Sequence, residues 1–176
     1  MGEEHIKLLL DSEATKANIE AAVDWLVSNE DTDDTVLFYF SGSVETQKAS
    51  IAPYDAFYTQ TWITSSRLGK WLRRLESENV VIILEACYAG RFETSLSDSG
   101  RVVLMSSRAD ESSWSSLFGD RGWHGVFSYY LLEAFSEFDI ADANRDYELS
   151  AEELLWYAEP ETISYTTLWD IQYSIQ

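Results

Sequence analysis

Val80-Val81-Ile82-Ile83-Leu84-Glu85-Ala86-Cys87-Tyr88-Ala89-Gly90 decides how this chain is read. A run of branched aliphatics without alternation fits a strand covered on both faces of a parallel sheet. The run then breaks into small residues around the only cysteine of the chain. In α/β proteins the crevice beyond the carboxyl ends of such strands is where ligands bind, so Cys87 is a candidate nucleophile. The competing reading is a buried structural thiol, because free cysteine is among the most buried residue types. Position alone does not choose between them.

Outward from that strand the pattern alternates. His5 to Leu10 and Thr35 to Phe40 read as strands, as does Val102 to Met105. Thr15-Lys16-Ala17-Asn18-Ile19 opens a helix running to about Val27, with Ile19, Val23, Leu26 and Val27 on one face. Ser65 to Leu75 predicts a basic amphipathic helix, with Leu68, Trp71, Leu72 and Leu75 inward, and Val126 to Phe135 a further helix. Strands separated by helices of this length imply parallel pairing through right-handed crossovers. The predicted class is therefore α/β, a three-layer sandwich around a mostly parallel sheet, formed as a single domain over residues 1–176.

Composition narrows the function classes. The chain has 176 residues, 45% of them hydrophobic, and its two prolines and eight glycines leave no room for a long linker. With 31 acidic and 12 basic side chains the net charge is −19, which repels phosphate backbones and argues against nucleic-acid binding. Self-repulsion of this size also predicts stabilisation by salt. No stretch approaches the ~20 apolar residues of a membrane span. The start Met1-Gly2-Glu3-Glu4-His5 lacks the basic and apolar regions of a signal peptide, so a soluble protein is expected, in a compartment left open. One cysteine excludes an internal disulfide.

A second chemical signal is Asp142-Ala143-Asn144-Arg145-Asp146-Tyr147-Glu148-Leu149-Ser150-Ala151-Glu152-Glu153. Asp142, Asn144, Asp146, Ser150 and Glu153 place oxygens at loop positions one, three, five, nine and twelve, with the Glu148 carbonyl at seven, the spacing of an EF-hand-type loop around Ca²⁺. A structural calcium is the cofactor this predicts, and no organic cofactor is expected. The weak point is Tyr147, where such loops need glycine for a sharp left-handed turn. The alternative is an acidic helix cap, in which Ser150 starts a helix containing Glu153.

Glu85-Ala86-Cys87-Tyr88-Ala89-Gly90 resembles the nucleophile motif of cysteine peptidases of the caspase-haemoglobinase fold, comprising caspases, metacaspases, legumains and their prokaryotic relatives. The likeness extends in family order. Thr35 to Gly42 is similar to the strand that delivers the catalytic histidine, Ile51 to Ala56 to the segment after it, and Arg101 to Ser107 to the next strand. Glu111-Ser112-Ser113-Trp114 and Phe118-Gly119-Asp120 resemble the legumain substrate-pocket stretch, with Gly125 to Leu132 as the helix behind it. The resemblance implies an endopeptidase acting on peptide or protein substrates through a Cys87 thioester. It also implies oxyanion donors near Gly90 and a pocket for the P1 side chain formed by Glu85, Ser112, Ser113 and Asp120, with Trp114 as a wall. This acidic and hydroxylic lining suits a basic or asparagine P1 residue better than aspartate.

Two departures qualify the resemblance. Where the family pattern reads Ser-Gly-His-Gly, this chain reads Ser41-Gly42-Ser43-Val44. Either Ser43 stands at the histidine position or a His-Gly pair is missing before it. The two histidines present, His5 and His124, precede a strand and an apolar run, where structural roles are expected. Without an imidazole neighbour a thiol is mostly protonated at neutral pH and attacks amides slowly. Impaired peptidase activity is therefore expected, and the alternative is an inactive pseudopeptidase that binds peptides, partners or calcium. The resemblance also implies a strand and helix ahead of His5 to Asp11, that first strand lying inside the sheet, and here the chain opens directly on Met1-Gly2-Glu3-Glu4. The first family strand is thus expected to be missing. Its absence would leave unpaired backbone groups that favour self-association or pairing with another segment, the β-prone Thr162 to Trp169 being one candidate.

Overall fold

The computed structural model describes residues 5–45, 47–56, 61–119 and 122–173, with side chains through residue 167. Its centre is a parallel sheet of β1 (Thr35–Ser41), β5 (Asn79–Glu85) and β6 (Arg101–Met105), in the order β1-β5-β6. The chain positions these strands with α1 (Lys16–Asn29), whose first turn is capped by the Thr15 side chain accepting from the Asn18 N–H. The short antiparallel strands β2 (Val44–Glu45), β3 (Ser50–Ile51) and β4 (Ile63–Thr64) follow β1, and α2 (Ser65–Leu72), capped by Thr64, leads back to β5.

Because side chains alternate across a strand, β5 feeds two cores. Val80, Ile82 and Leu84 point to one face and pack with Ile19 and Val23 of α1 and with Leu68, Trp71 and Leu72 of α2. On the other face Ile83 joins Leu104, Val102 and the helices α4 (Val126–Ser136) and α6 (Ala151–Tyr173), through Phe127, Leu131, Leu154 and Ala158. This is the predicted three-layer α/β sandwich. Between β5 and β6 lies α3 (Glu93–Leu96). After β6 comes a hairpin of β7 (Ser115–Leu117) and β8 (Trp123–Gly125), and α5 (Phe138–Ala141) separates α4 from the acidic loop.

Two predicted elements are corrected. His5 to Leu10 forms no strand: it pairs with nothing in the sheet, and a short 3-10 turn, Asp11–Glu13, follows it. Leu9 packs against the α1 core, whereas Ile6, Leu8 and Leu10 are exposed. Among the described residues no strand pairs with it to form a ladder. Thr162 to Trp169 is helical, within α6, so it is no replacement strand. The Thr162 and Thr166 hydroxyls bond back to the carbonyls of Ala158 and Thr162, a pairing that makes β-branched threonine tolerable in a helix. Among the described residues β1 is an edge strand with β5 on one side and no strand on the other.

Candidate active site at Cys87

β5 ends at Glu85, and the chain must turn at once from a buried strand into a 3-10 helix, Ala89–Phe92. The turn is held by two serines at the end of β6. Ser106 Oγ accepts the Ala86 N–H at 3.0 Å. Ser107 Oγ donates to the Ala86 carbonyl at 2.9 Å and accepts the Ala89 N–H at 3.1 Å. Tyr88 sits at φ 58°, a left-handed conformation disfavoured for a side chain with Cβ, and its N–H donates to the Glu111 carbonyl at 2.7 Å. Strain of this kind persists only where neighbours over-determine the backbone, as they do around this cysteine. Gly90 is required by close approach, since a Cβ there would lie 2.5 Å from the Ala109 nitrogen.

Cys87 is half-buried rather than sealed in the core. Its sulfur accepts the Ser113 N–H at 3.3 Å and lies 3.5 Å from the Ser113 carbonyl, to which the thiol donates. β1 and β5 are paired with Ser41 opposite Glu85, and the Gly42 N–H continues the contact to the Glu85 carbonyl at 3.1 Å. Beyond that contact both strands end; Ser43 is exposed, and its carbonyl accepts the Ala52 N–H at 2.9 Å.

Glu85 is a buried carboxylate, which is costly unless hydrogen-bonded. One oxygen accepts the Ser113 hydroxyl at 2.6 Å. The other accepts both the N–H and the hydroxyl of Ser128, at 2.7 and 2.8 Å. Ser128 lies in the first turn of α4, where free N–H groups and the helix dipole favour an anion. Gly125, the N-cap of that helix, leaves the room: a Cβ there would stand 2.3 Å from the Glu85 carboxyl carbon. Tyr39 of β1 closes the network, its hydroxyl 3.0 Å from Ser128 Oγ.

A family model described as the caspase domain matches residues 5–155. The chain belongs to the caspase domain family. No curated protein matches it significantly in sequence. The chemistry of a caspase domain is that of a cysteine peptidase acting on peptides and proteins, and Cys87 stands at the end of the central strand of this one, β5. No described helix is long and apolar enough to cross a membrane.

Within this caspase domain the predicted site residues divide. Cys87, Glu85 and Ser113 form one hydrogen-bonded unit. Ser112, Ser113 and Trp114 line a cleft of about 590 Å³ that runs from Gly90 along β6 to Glu159 and Thr162 of α6. The Gly90 N–H, expected in the oxyanion region, donates to the Ser107 carbonyl at 3.0 Å. Asp120 lies outside the described residues. Neither histidine lies in the parallel sheet: His5 precedes the segment Ile6 to Leu10, and His124 lies in β8, opposite Ser116. Sequence reading missed Ser128, Tyr39, Ser106 and Ser107. The available signal was Glu85 itself, since a carboxylate ending an apolar strand demands donors, and a serine in the first turn of the following helix is a ready source.

The acidic loop adopts the tight turn expected of it. Tyr147 is left-handed at φ 70° and Arg145 at φ 63°. Asp142, buried, accepts the N–H groups of Arg145, Asp146 and Tyr147. Ser150 and Glu153 form a reciprocal capping box at the start of α6, Ser150 Oγ accepting the Glu153 N–H at 3.1 Å and Glu153 accepting the Ser150 N–H at 3.0 Å. These bonds, from the Ser150 N–H first and then the Asn144 N–H, hold the Glu153 carboxyl below its ordinary pKa against the opposing effect of burial. Among the described residues no three acidic, imidazole or thiol side chains converge as a metal set.

Proposed function

We propose that this caspase domain is a cysteine endopeptidase-type peptide site whose turnover is impaired by the absence of the dyad histidine. The observation that supports this is the pairing of β1 with β5, which brings the end of β1, continued as Gly42-Ser43 where the family pattern has Gly-His, to the strand end that precedes the half-buried Cys87. In the reaction Cys87 Sγ bonds to the scissile carbonyl carbon, the amine leaves with a proton, and water hydrolyses the thioester. The Ser113 N–H at the sulfur neither removes the thiol proton nor returns one to the amine. A P1 asparagine or basic side chain is favoured by the acidic and hydroxylic surroundings of Glu85, Ser112 and Ser113.

A positioned general base contributes about 10²–10⁴-fold. Inserting His-Gly after Gly42 should raise cleavage of fluorogenic peptides with P1 Asn or Lys by that order, and of P1 Asp peptides much less. Robust cleavage by the unaltered chain, abolished by Cys87→Ala, would show that another group serves as base. Two observations favour a second reading, a pseudopeptidase that binds peptides without turnover. The Gly90 N–H is occupied, and both Glu85 oxygens already carry donors. Peptide binding without cleavage, even with His-Gly restored, would select it.

We also propose that the loop of Asp142, Asn144, Asp146, Glu148, Ser150 and Glu153 holds a structural Ca²⁺. Support comes from the left-handed Tyr147, which meets the turn requirement without glycine. The carboxylates must exchange backbone amides for the ion, since they do not converge beforehand. A ligand that binds only the native state stabilises it by mass action. Calcium should therefore raise the melting temperature of the wild type beyond magnesium at equal ionic strength, and do much less for Asp142→Ala. Equal gains in both would reduce the loop to a helix cap.

A further inference from the structure

Positive charge is scarce in this chain and is not spread evenly. Against a net charge of −19, four of the 12 basic side chains fall at Arg67, Lys70, Arg73 and Arg74, and no acidic residue occurs between Asp55 and Glu76. Burial of Leu68, Trp71 and Leu72 turns these four outward, and all are exposed on α2 and the turn that closes it. At 1.5 Å of rise per residue they lie within about 11 Å of one another along the axis, close to one Debye length, so an approaching ligand meets them together.

Intramolecular partners account for two of them. Arg74 forms an ion pair with Asp24 of α1, and Arg73 donates to the Ser95 carbonyl at 3.2 Å. Among the described residues Arg67 and Lys70 pair with no acid. Arg101 adds a fifth cation at the end of the helix. One of its terminal nitrogens donates to the Leu72 carbonyl at 2.7 Å, and the other is buried without an acceptor. Burial holds its pKa below the ordinary value, the charge of Arg73 acting the same way and that of Asp98 against it. Solvation accounts for an exposed cation, but not for a buried guanidinium nitrogen left without an acceptor near a second guanidinium. This corner of the molecule carries surplus positive charge.

The rest of the molecule decides what such a face can take. α2 packs on one side of the sheet, and the helices on the other side, α4 to α6, run through a stretch whose only basic residue is Arg145. Across three layers of about 10 Å those acids are some two Debye lengths away, screened from a short ligand on α2 but not from a long polyanion that extends past it. The patch is also small, bounded by Asp24 on α1 and by Glu76 and Glu78 past the helix end. A nucleic acid strand or an anionic membrane would carry its charge out over the acidic remainder, and a second copy would bring another −19 to it. A short acidic segment meets chiefly the patch. We propose that the outer face of α2, with Arg67 and Lys70 at its centre, is a docking surface for another polypeptide that presents a short run of Asp or Glu residues. The inference does not involve Cys87 and holds whether or not the chain cleaves peptides.

The probe is a fluorescein-labelled peptide, Gly-Glu-Glu-Asp-Glu-Glu-Gly, with a control in which Gln and Asn replace its acids. At low salt the acidic peptide should bind by fluorescence anisotropy and the neutral one not measurably, and binding should weaken as salt rises. Lys70→Glu and Arg145→Glu lower the net charge equally, one inside the patch and one on the far layer, so they separate place from total charge. Lys70→Glu should weaken binding about tenfold or more, and Arg67→Glu combined with Lys70→Glu should abolish it, whereas Arg145→Glu should change it by less than about twofold. Far-UV circular dichroism checks the folding of each variant. Equal weakening by Lys70→Glu and Arg145→Glu, or no binding of the acidic peptide to the wild type, overturns the proposal. So does tighter binding of a single-stranded oligonucleotide of equal charge or of phosphatidylserine vesicles, which would make phosphate the ligand. Self-association of the free chain that Lys70→Glu abolishes would overturn it as well, by making the occupant a second copy.

Discussion

β5 and the segment Ile6 to Leu10 are both short apolar runs, and they meet opposite fates. β5 is flanked by strands on both sides and by helices on both faces, and Ile82 at its centre is fully buried. The amino-terminal segment has one side chain, Leu9, in a core, and Leu8 beside it is 66% exposed. Local pattern makes a segment competent to be a strand. A ladder also needs a neighbouring edge at about 4.8 Å to receive its N–H and carbonyl groups.

The sharpest way to break the comparison is truncation in each run. Ile82→Ala should lower unfolding free energy by about 2–5 kcal/mol in urea titrations, because the close-packed sheet cannot collapse around the hole. Leu8→Ala should change it by less than about 0.5 kcal/mol. Comparable losses would mean that the amino-terminal segment is packed after all. A smaller effect is expected from Glu85→Ala. Removing the acceptor orphans the half-buried Ser128 N–H at a cost of about 1 kcal/mol. It also frees Ser113, so iodoacetamide should alkylate Cys87 at an altered rate, while unchanged stability and reactivity would show that the network does not hold the turn.

The smallest effect concerns the start of α6. Glu153 is held below its ordinary pKa, so its contribution is present above the unfolded value of ~4.3 and is lost as pH falls through the lower folded value. Glu153→Gln should flatten that part of the stability profile, below about pH 4, and leave the neutral region nearly unchanged. A wild-type profile with the same acid slope as Glu153→Gln would show that the capping box is not formed in solution.

Much of the molecule was legible in order. The run Val80 to Leu84 specified a strand buried on both faces, Thr15 announced the helix it caps, and the spacing of Leu68, Trp71 and Leu72 gave the buried side of α2. The acidic loop announced its turn, down to the strained position at Tyr147. These readings succeed because period, capping and turn chemistry act over a few residues. The same reasoning failed at Thr162 to Trp169, where β-propensity yielded to the helix in which those residues sit.

What the sequence by itself determined was the α/β class, the place of Cys87 at a strand end, and a serine after Gly42 where the family pattern has histidine. Only the tertiary structure decided that Ser128 and Tyr39 complete the Glu85 network, residues 43 and 89 positions away from their partners Glu85 and Ser128. It alone turned the Gly90 N–H inward to Ser107. Each of these outcomes depends on which chain segment arrives alongside. Hydrogen-bond partners brought together across a sheet leave no periodic trace in the residues that make them.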